Sequence, residues 1–169
     1  MKRVLIDASS AILLYKADIF KDMAEHYLLM MVPTVFREIT VAHRDGAEVF
    51  GQAKEAGKIR MAVPINACGS DAVTASLHAG ELETIKAYHS INAHFIIMDD
   101  GKGARVCRTL GIPYVNALLC PGILYLSGKI NQETCQSTFG YLRKIGRYGD
   151  DVICFAEQAD RIGLASFFP

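Results

Sequence analysis

Hydrophobic positions in this chain fall into short blocks of two kinds, and the kinds alternate. Val4-Leu5-Ile6 and Phe95-Ile96-Ile97-Met98 are unbroken apolar runs, the pattern of strands covered on both faces of a parallel sheet. Leu28 to Val32 reads as a further strand, Ile59 to Val63 as a weakly alternating edge strand, and Gly111 to Val115 as another. The blocks between them have helical spacing. Ser9 and Ser10 stand as N-caps before Ala11, Ile12, Leu13 and Leu14, and Ile19, Met23 and Tyr27 share a face of a helix beginning at Asp18. Pro33 to Ile39 starts with proline in its first turn and places Val35, Ile39 and Ala42 on one stripe, with Glu38 one position short of it. Ala47 to Ala56 closes at Gly57. A polar connection from Pro64 to Asp71 leads to a short helix over Ala72 to His78, a helix from Gly80 to about Asn92, and another from Gly101 to Leu110.

Strands alternating with helices predict an α/β fold with a mostly parallel central sheet. Right-handed crossovers put the ends of the Val4 and Phe95 strands on the same side. Beyond Asn116 the chain shows no strand. Helices around Leu118 to Leu126, Thr134 to Ile145 and Val152 to Ile162 form an extension expected to pack on the sheet. At 169 residues the chain is read as a single domain with room for a substantial core.

Composition narrows this picture. With 18 basic and 18 acidic residues the net charge is zero, so the chain does not coat nucleic acid by global charge, while a local basic rim stays possible. Five scattered cysteines without a C-x-x-C pair, and five histidines without ligand spacing, speak against a disulfide framework or a thiolate zinc site. Apolar runs are too short to span a membrane, and Asp7 interrupts the first one, so no signal peptide is expected and the cytoplasm is the default compartment.

Acids recur where the strands end and the helices begin. Asp7 follows the first strand, Glu38 sits on the third helix, Glu81 and Glu83 open the central helix, and Asp99-Asp100 ends the strong later strand. Ligands of open α/β sheets bind outside the carboxyl ends of the strands. Convergent carboxylates repel one another, and hard divalent cations such as Mg²⁺ or Mn²⁺ prefer oxygen donors, so a bound cation is the natural complement. Such an ion activates water and neutralises charge on a phosphoryl group. No serine, cysteine or histidine is arranged as a nucleophile. Each acid taken singly also reads as a helix cap or a solvated charge.

Four stretches in order resemble the PIN domain family, in its branch related to VapC-type toxins. They are Val4-Leu5-Ile6-Asp7-Ala8-Ser9, Val32 to Ile39, Gly80-Glu81-Leu82-Glu83-Thr84-Ile85 (a GExE pattern), and Ile97-Met98-Asp99-Asp100-Gly101-Lys102-Gly103-Ala104-Arg105 (DDxxxAR). The resemblance spans about residues 1 to 127, leaving about 128–169 as a helical extension. It implies a three-layer α/β/α fold and a metal-dependent endoribonuclease. Asp7, Glu38, one of Glu81 and Glu83, and one of Asp99 and Asp100 would hold Mg²⁺ or Mn²⁺. Ser9 would support Asp7, and Arg105 would contact phosphate or pair with an acid. Family spacing favours Glu81 and Asp99, with Glu83 and Asp100 as neighbours able to substitute. Further implied partners are an RNA substrate, a small antitoxin protein and a second copy in a homodimer.

Two other readings compete. One is a non-catalytic PIN-like module binding RNA or protein, which the complete acid set disfavours. The other is a haloacid dehalogenase type phosphatase, which wants a second Asp two residues after the first, where this chain has Ser9.

Overall fold

The computed structural model describes residues 1–64 and 77–169. Five strands, β1 (Arg3–Ile6), β2 (Leu28–Met31), β3 (Ile59–Met61), β4 (Phe95–Ile97) and β5 (Tyr114–Val115), form one sheet in the order β3-β2-β1-β4-β5. Every pairing is parallel, with Leu5 opposite Met30 on one side and Ile96 on the other. β1 lies at the centre, and its Val4, Leu5 and Ile6 are fully buried, as the unbroken apolar run predicts. β3 is an edge strand.

Ten α-helices occur among the described residues, and with the parallel sheet they make the three-layer α/β/α arrangement. They are α1 (Ala8–Lys16), α2 (Phe20–His26), α3 (Pro33–Ile39), α4 (Ala47–Glu55), α5 (Ala79–Ser90) and α6 (Gly101–Thr109) in the first part of the chain. α7 (Cys120–Leu126), α8 (Gln132–Ile145), α9 (Asp150–Gln158) and α10 (Arg161–Leu164) complete the set.

Several boundaries differ from expectation for local reasons. Helix α1 starts at Ala8, so Asp7 rather than Ser9 or Ser10 is its N-cap. α2 begins at Phe20 because Asp18 takes a left-handed φ of 56°. The expected strand from Gly111 shrinks to Tyr114–Val115, since Gly111 (φ 66°) is still turning the chain out of α6. The helix expected over Val152 to Ile162 is broken at Ala159, where Asp160 starts α10 by accepting from the Gly163 amide at 2.8 Å. The short helix expected from Ala72 lies outside the described residues except at its end.

The C-terminal helices are anchored to the sheet. Leu118, Ile123, Leu124, Leu142 and Leu164 join the core. Phe167 stands edge-on to Phe95 of β4, with ring centres 5.1 Å apart, and its carbonyl accepts from the buried Tyr27 hydroxyl at 2.5 Å. Lys2 donates to the Ser166 carbonyl at 2.9 Å.

Candidate active site at the carboxyl edge

Parallel register brings the ends of β1 and β4 together: the Asp7 amide donates to the Ile97 carbonyl at 3.1 Å. Asp7 is 2% exposed. One carboxylate oxygen, Oδ1, accepts from the Ser10 amide at 2.7 Å, capping α1, and Oδ2 accepts from the Ser9 hydroxyl at 3.0 Å. These bonds leave lone pairs on both oxygens. Burial, and then the nearby Asp99 carboxylate, push the Asp7 pKa from the usual 3.8 to about 7, against the opposing pull of Ser10 and Ser9. Burying a charge-bearing group here is uphill, and the apolar side chains of β1, each worth about 2 kcal/mol when buried, help to hold it in place.

An open pocket of about 430 Å³ is lined by Asp7, Ser9, Glu38, His78, Glu81 and Asp100, with smaller residues between them. No lysine or arginine among the described residues lines it. α3 supplies Glu38 and α5 supplies Glu81. Gly80 permits this approach: a Cβ there would meet Val35 Cγ2 at 3.1 Å and stand 4.0 Å from Glu38 Oε2. Glu38 is half-exposed and pairs with Arg44 at 3.6 Å. Glu81 turns back to accept from the His78 amide at 3.1 Å through Oε2. Burial raises its pKa, a rise that the His78 amide opposes and the Asp100 charge adds to.

The two paired ambiguities separate in space. Glu83 accepts from the Thr34 amide at 3.1 Å, tying α5 to the N-terminus of α3. Asp100 borders the pocket and caps α6, accepting from the Lys102 and Gly103 amides at 2.8 and 2.9 Å. Asp99 lines a different hollow. Its oxygens accept from the Ala117 amide at 2.9 Å and the Tyr148 hydroxyl at 2.5 Å. Burial raises the Asp99 pKa, while these donors and Ser10 lower it. Arg105 lines the Asp99 hollow too. Tyr148 carried no signal in the sequence, because it reaches Asp99 from 49 residues further along the chain.

Four carboxylates in a pocket that no described lysine or arginine lines suit a hard divalent ion, although His78 lines it too. Among the described residues, no three His, Cys, Asp or Glu side chains converge as a ready-made metal group. Glu38 and Glu81 are engaged elsewhere, with Arg44 and the His78 amide. The donor chemistry fits, and closing a coordination shell requires those two glutamates to turn inward.

No helix among the described residues is long and apolar enough to cross a membrane. No curated protein and no solved structure gives a significant match. A family model described as DUF3368, a PIN domain, matches residues 3–148, from β1 to the Tyr148 that holds Asp99. The chain belongs to the PIN domain family, whose members are typically nucleases and generally depend on divalent metal.

Proposed function

We propose that this protein is a metal-dependent endoribonuclease that hydrolyses RNA phosphodiester bonds at the pocket around Asp7. The observation that carries this reading is the set of four acids, Asp7, Glu38, Glu81 and Asp100, lining one pocket at the carboxyl edge of the sheet without a lysine or arginine among them. These four would hold Mg²⁺ or Mn²⁺. The bound ion would supply Lewis acidity for the phosphoryl group and lower the pKa of attacking water. Asp7, whose raised pKa keeps it protonated up to about pH 7 in the metal-free chain, would give up that proton when the ion binds and would hold the ion in its ionised form. Ser9 and the Ser10 amide fix the orientation of Asp7. Asp99 and Glu83 act as positioning residues, since both carboxylates hold backbone amides of neighbouring segments.

The test is cleavage of labelled RNA with Mg²⁺, with Mn²⁺ and with EDTA. Metal-dependent internal cuts are expected, and Asp7→Asn should lower the rate by about 10³-fold. Full activity in EDTA, or in Asp7→Asn, overturns the reading.

The resemblance to VapC-type sequences further supports the role of toxin in a VapBC-type toxin–antitoxin pair acting in the cytoplasm. On that reading a small antitoxin blocks the pocket, and two copies associate. A growth defect on expression, relieved by a small neighbouring reading frame, would support this role; no defect from an active nuclease would sink it.

A further inference from the structure

Across Asp99 from the acidic pocket lies a second hollow of about 330 Å³ with the opposite character. Arg105 and Arg108, one turn apart on α6, and Arg147, beside Tyr148, all line it. None of the three lies within ion-pair distance of a carboxylate among the described residues, where the pairs are Lys16–Asp45, Arg44–Glu38 and Arg143–Glu157. The carboxylate that shares the hollow, Asp99, already accepts from the Ala117 amide and the Tyr148 hydroxyl. Arg108 is steadied by donating to the Tyr114 hydroxyl at 3.0 Å, which leaves most of its donors free.

We infer that this hollow is a phosphate subsite that grips the backbone of the RNA strand running away from the acidic pocket, through Arg105, Arg108 and Arg147. The inference rests on the nuclease reading above for the identity of the strand. Three guanidiniums lining one hollow repel one another, and an anion bound among them removes that repulsion. Their planar donor forks match phosphate oxygens bidentately. A polymer is favoured over a free anion by the placement of the two hollows. Asp99 lines one and Asp100 the other, and these residues are consecutive, so the two hollows flank the same step of the chain. A repeating polyanion can present one phosphate to a cation held by the acids and another to the arginines.

The experiment separates binding from cleavage. Fluorescence anisotropy of a labelled single-stranded RNA is followed in EDTA, where cleavage is off, while NaCl is raised from about 50 to 200 mM. Arg105→Gln, Arg108→Gln and Arg147→Gln should each weaken binding about threefold to tenfold and shallow the log–log salt slope by about 0.7. Arg→Lys at the same positions should fall between. Arg143→Gln, which removes a charge paired with Glu157 elsewhere, should bind like the parent chain. An RNA with uncharged methylphosphonate linkages should lose the arginine dependence.

If the glutamine variants bind within about twofold of the parent at an unchanged slope while Mg²⁺-dependent cleavage persists, the subsite is wrong and the nuclease stands. Arginine-dependent binding without cleavage in Mg²⁺ or Mn²⁺ keeps the subsite and sinks the nuclease. No RNA binding by the parent chain in EDTA, together with no cleavage in Mg²⁺ or Mn²⁺, overturns both.

Discussion

On one side of the Asp99–Asp100 step, Asp7, Glu38, Glu81 and Asp100 face a common pocket that no lysine or arginine among the described residues lines. On the other, three arginines line a hollow whose one carboxylate, Asp99, is already hydrogen-bonded. Neither flank neutralises its own charge among its lining residues, and the signs are opposite. The acidic flank suits an incoming cation and the basic flank an incoming anion, and a metal-bound RNA strand supplies both. The comparison also shows how two adjacent aspartates divide the work: successive residues leaving a strand point to opposite sides, so one reaches the pocket and its neighbour reaches the C-terminal helices.

The sharpest way to break this contrast is to neutralise each aspartate in turn. Asp100→Asn should cost about 10²-fold or more in cleavage, with little change in thermal stability, because asparagine caps α6 nearly as well as aspartate. Tyr148→Phe, on the other flank, should instead destabilise the fold by about 1.5–3 kcal/mol, since it strips a donor from a largely buried carboxylate. Thermal melts and cleavage rates of both variants decide. If Tyr148→Phe leaves stability untouched and abolishes cleavage like Asp100→Asn, Asp99 belongs to the reacting pocket and the division fails.

A pH titration sharpens the acidic flank. In the metal-free protein Asp7 has a folded pKa of about 7 against an ordinary 3.8, so the folded state holds the extra proton. The sign follows from linkage: stability from this group is full below pH 4 and is lost as pH rises towards 7, by up to about 4 kcal/mol. Asp7→Asn should therefore flatten that decline and stabilise the metal-free fold at pH 8. Adding Mg²⁺ to the parent protein at pH 8 should restore stability, because the ion favours the ionised carboxylate. Denaturant midpoints across pH 4 to 8 provide the check, and a parent chain that gains stability over this range contradicts the burial of Asp7.

Glu81 and Glu83 form the next contrast. Glu83→Gln should remove a charge-assisted bond to the Thr34 amide and cost about 1 kcal/mol, while leaving cleavage within about threefold. Glu81→Gln should do the reverse: a small change in melting and a large loss of metal-dependent rate. Equal losses of rate in both variants would place Glu83 among the groups that touch the ion.

How much of this was legible beforehand varies with distance along the chain. β1 and β4 showed plainly because strands covered on both faces read as continuous apolar runs, and parallel topology then brings Asp7 beside the end of β4. Glu38 fell one position off its apolar stripe and is half-exposed, as that spacing requires. Family spacing favours Asp99, yet Asp100 is the one that lines the pocket; strand alternation says that they diverge without saying which way each goes. That depends on Tyr148 and Ala117, which approach from segments with no local signal toward Asp99. Nor did Ser9 and Ser10 reveal that the cap of α1 is Asp7, because all three residue types cap well. Arg147 passed unnoticed for the same reason as Tyr148: only tertiary packing brings it to Arg105.

The smallest effect tests whether the acidic flank is held open by its own surface. Glu38 pairs with Arg44 at 3.6 Å, and both side chains are about half-exposed. Such a pair is worth about 0–1 kcal/mol, so Arg44→Ala should shift the melting midpoint hardly at all. If Glu38 must leave Arg44 to join Asp7 around an ion, the same substitution releases a competitor and should tighten Mg²⁺ binding about twofold to threefold, measured as the concentration giving half-maximal cleavage. The gain should shrink as salt rises, because the competing pair is itself screened at the surface. Weaker Mg²⁺ binding in Arg44→Ala would reverse the role of the pair: Arg44 would then be holding Glu38 at the pocket instead of drawing it away.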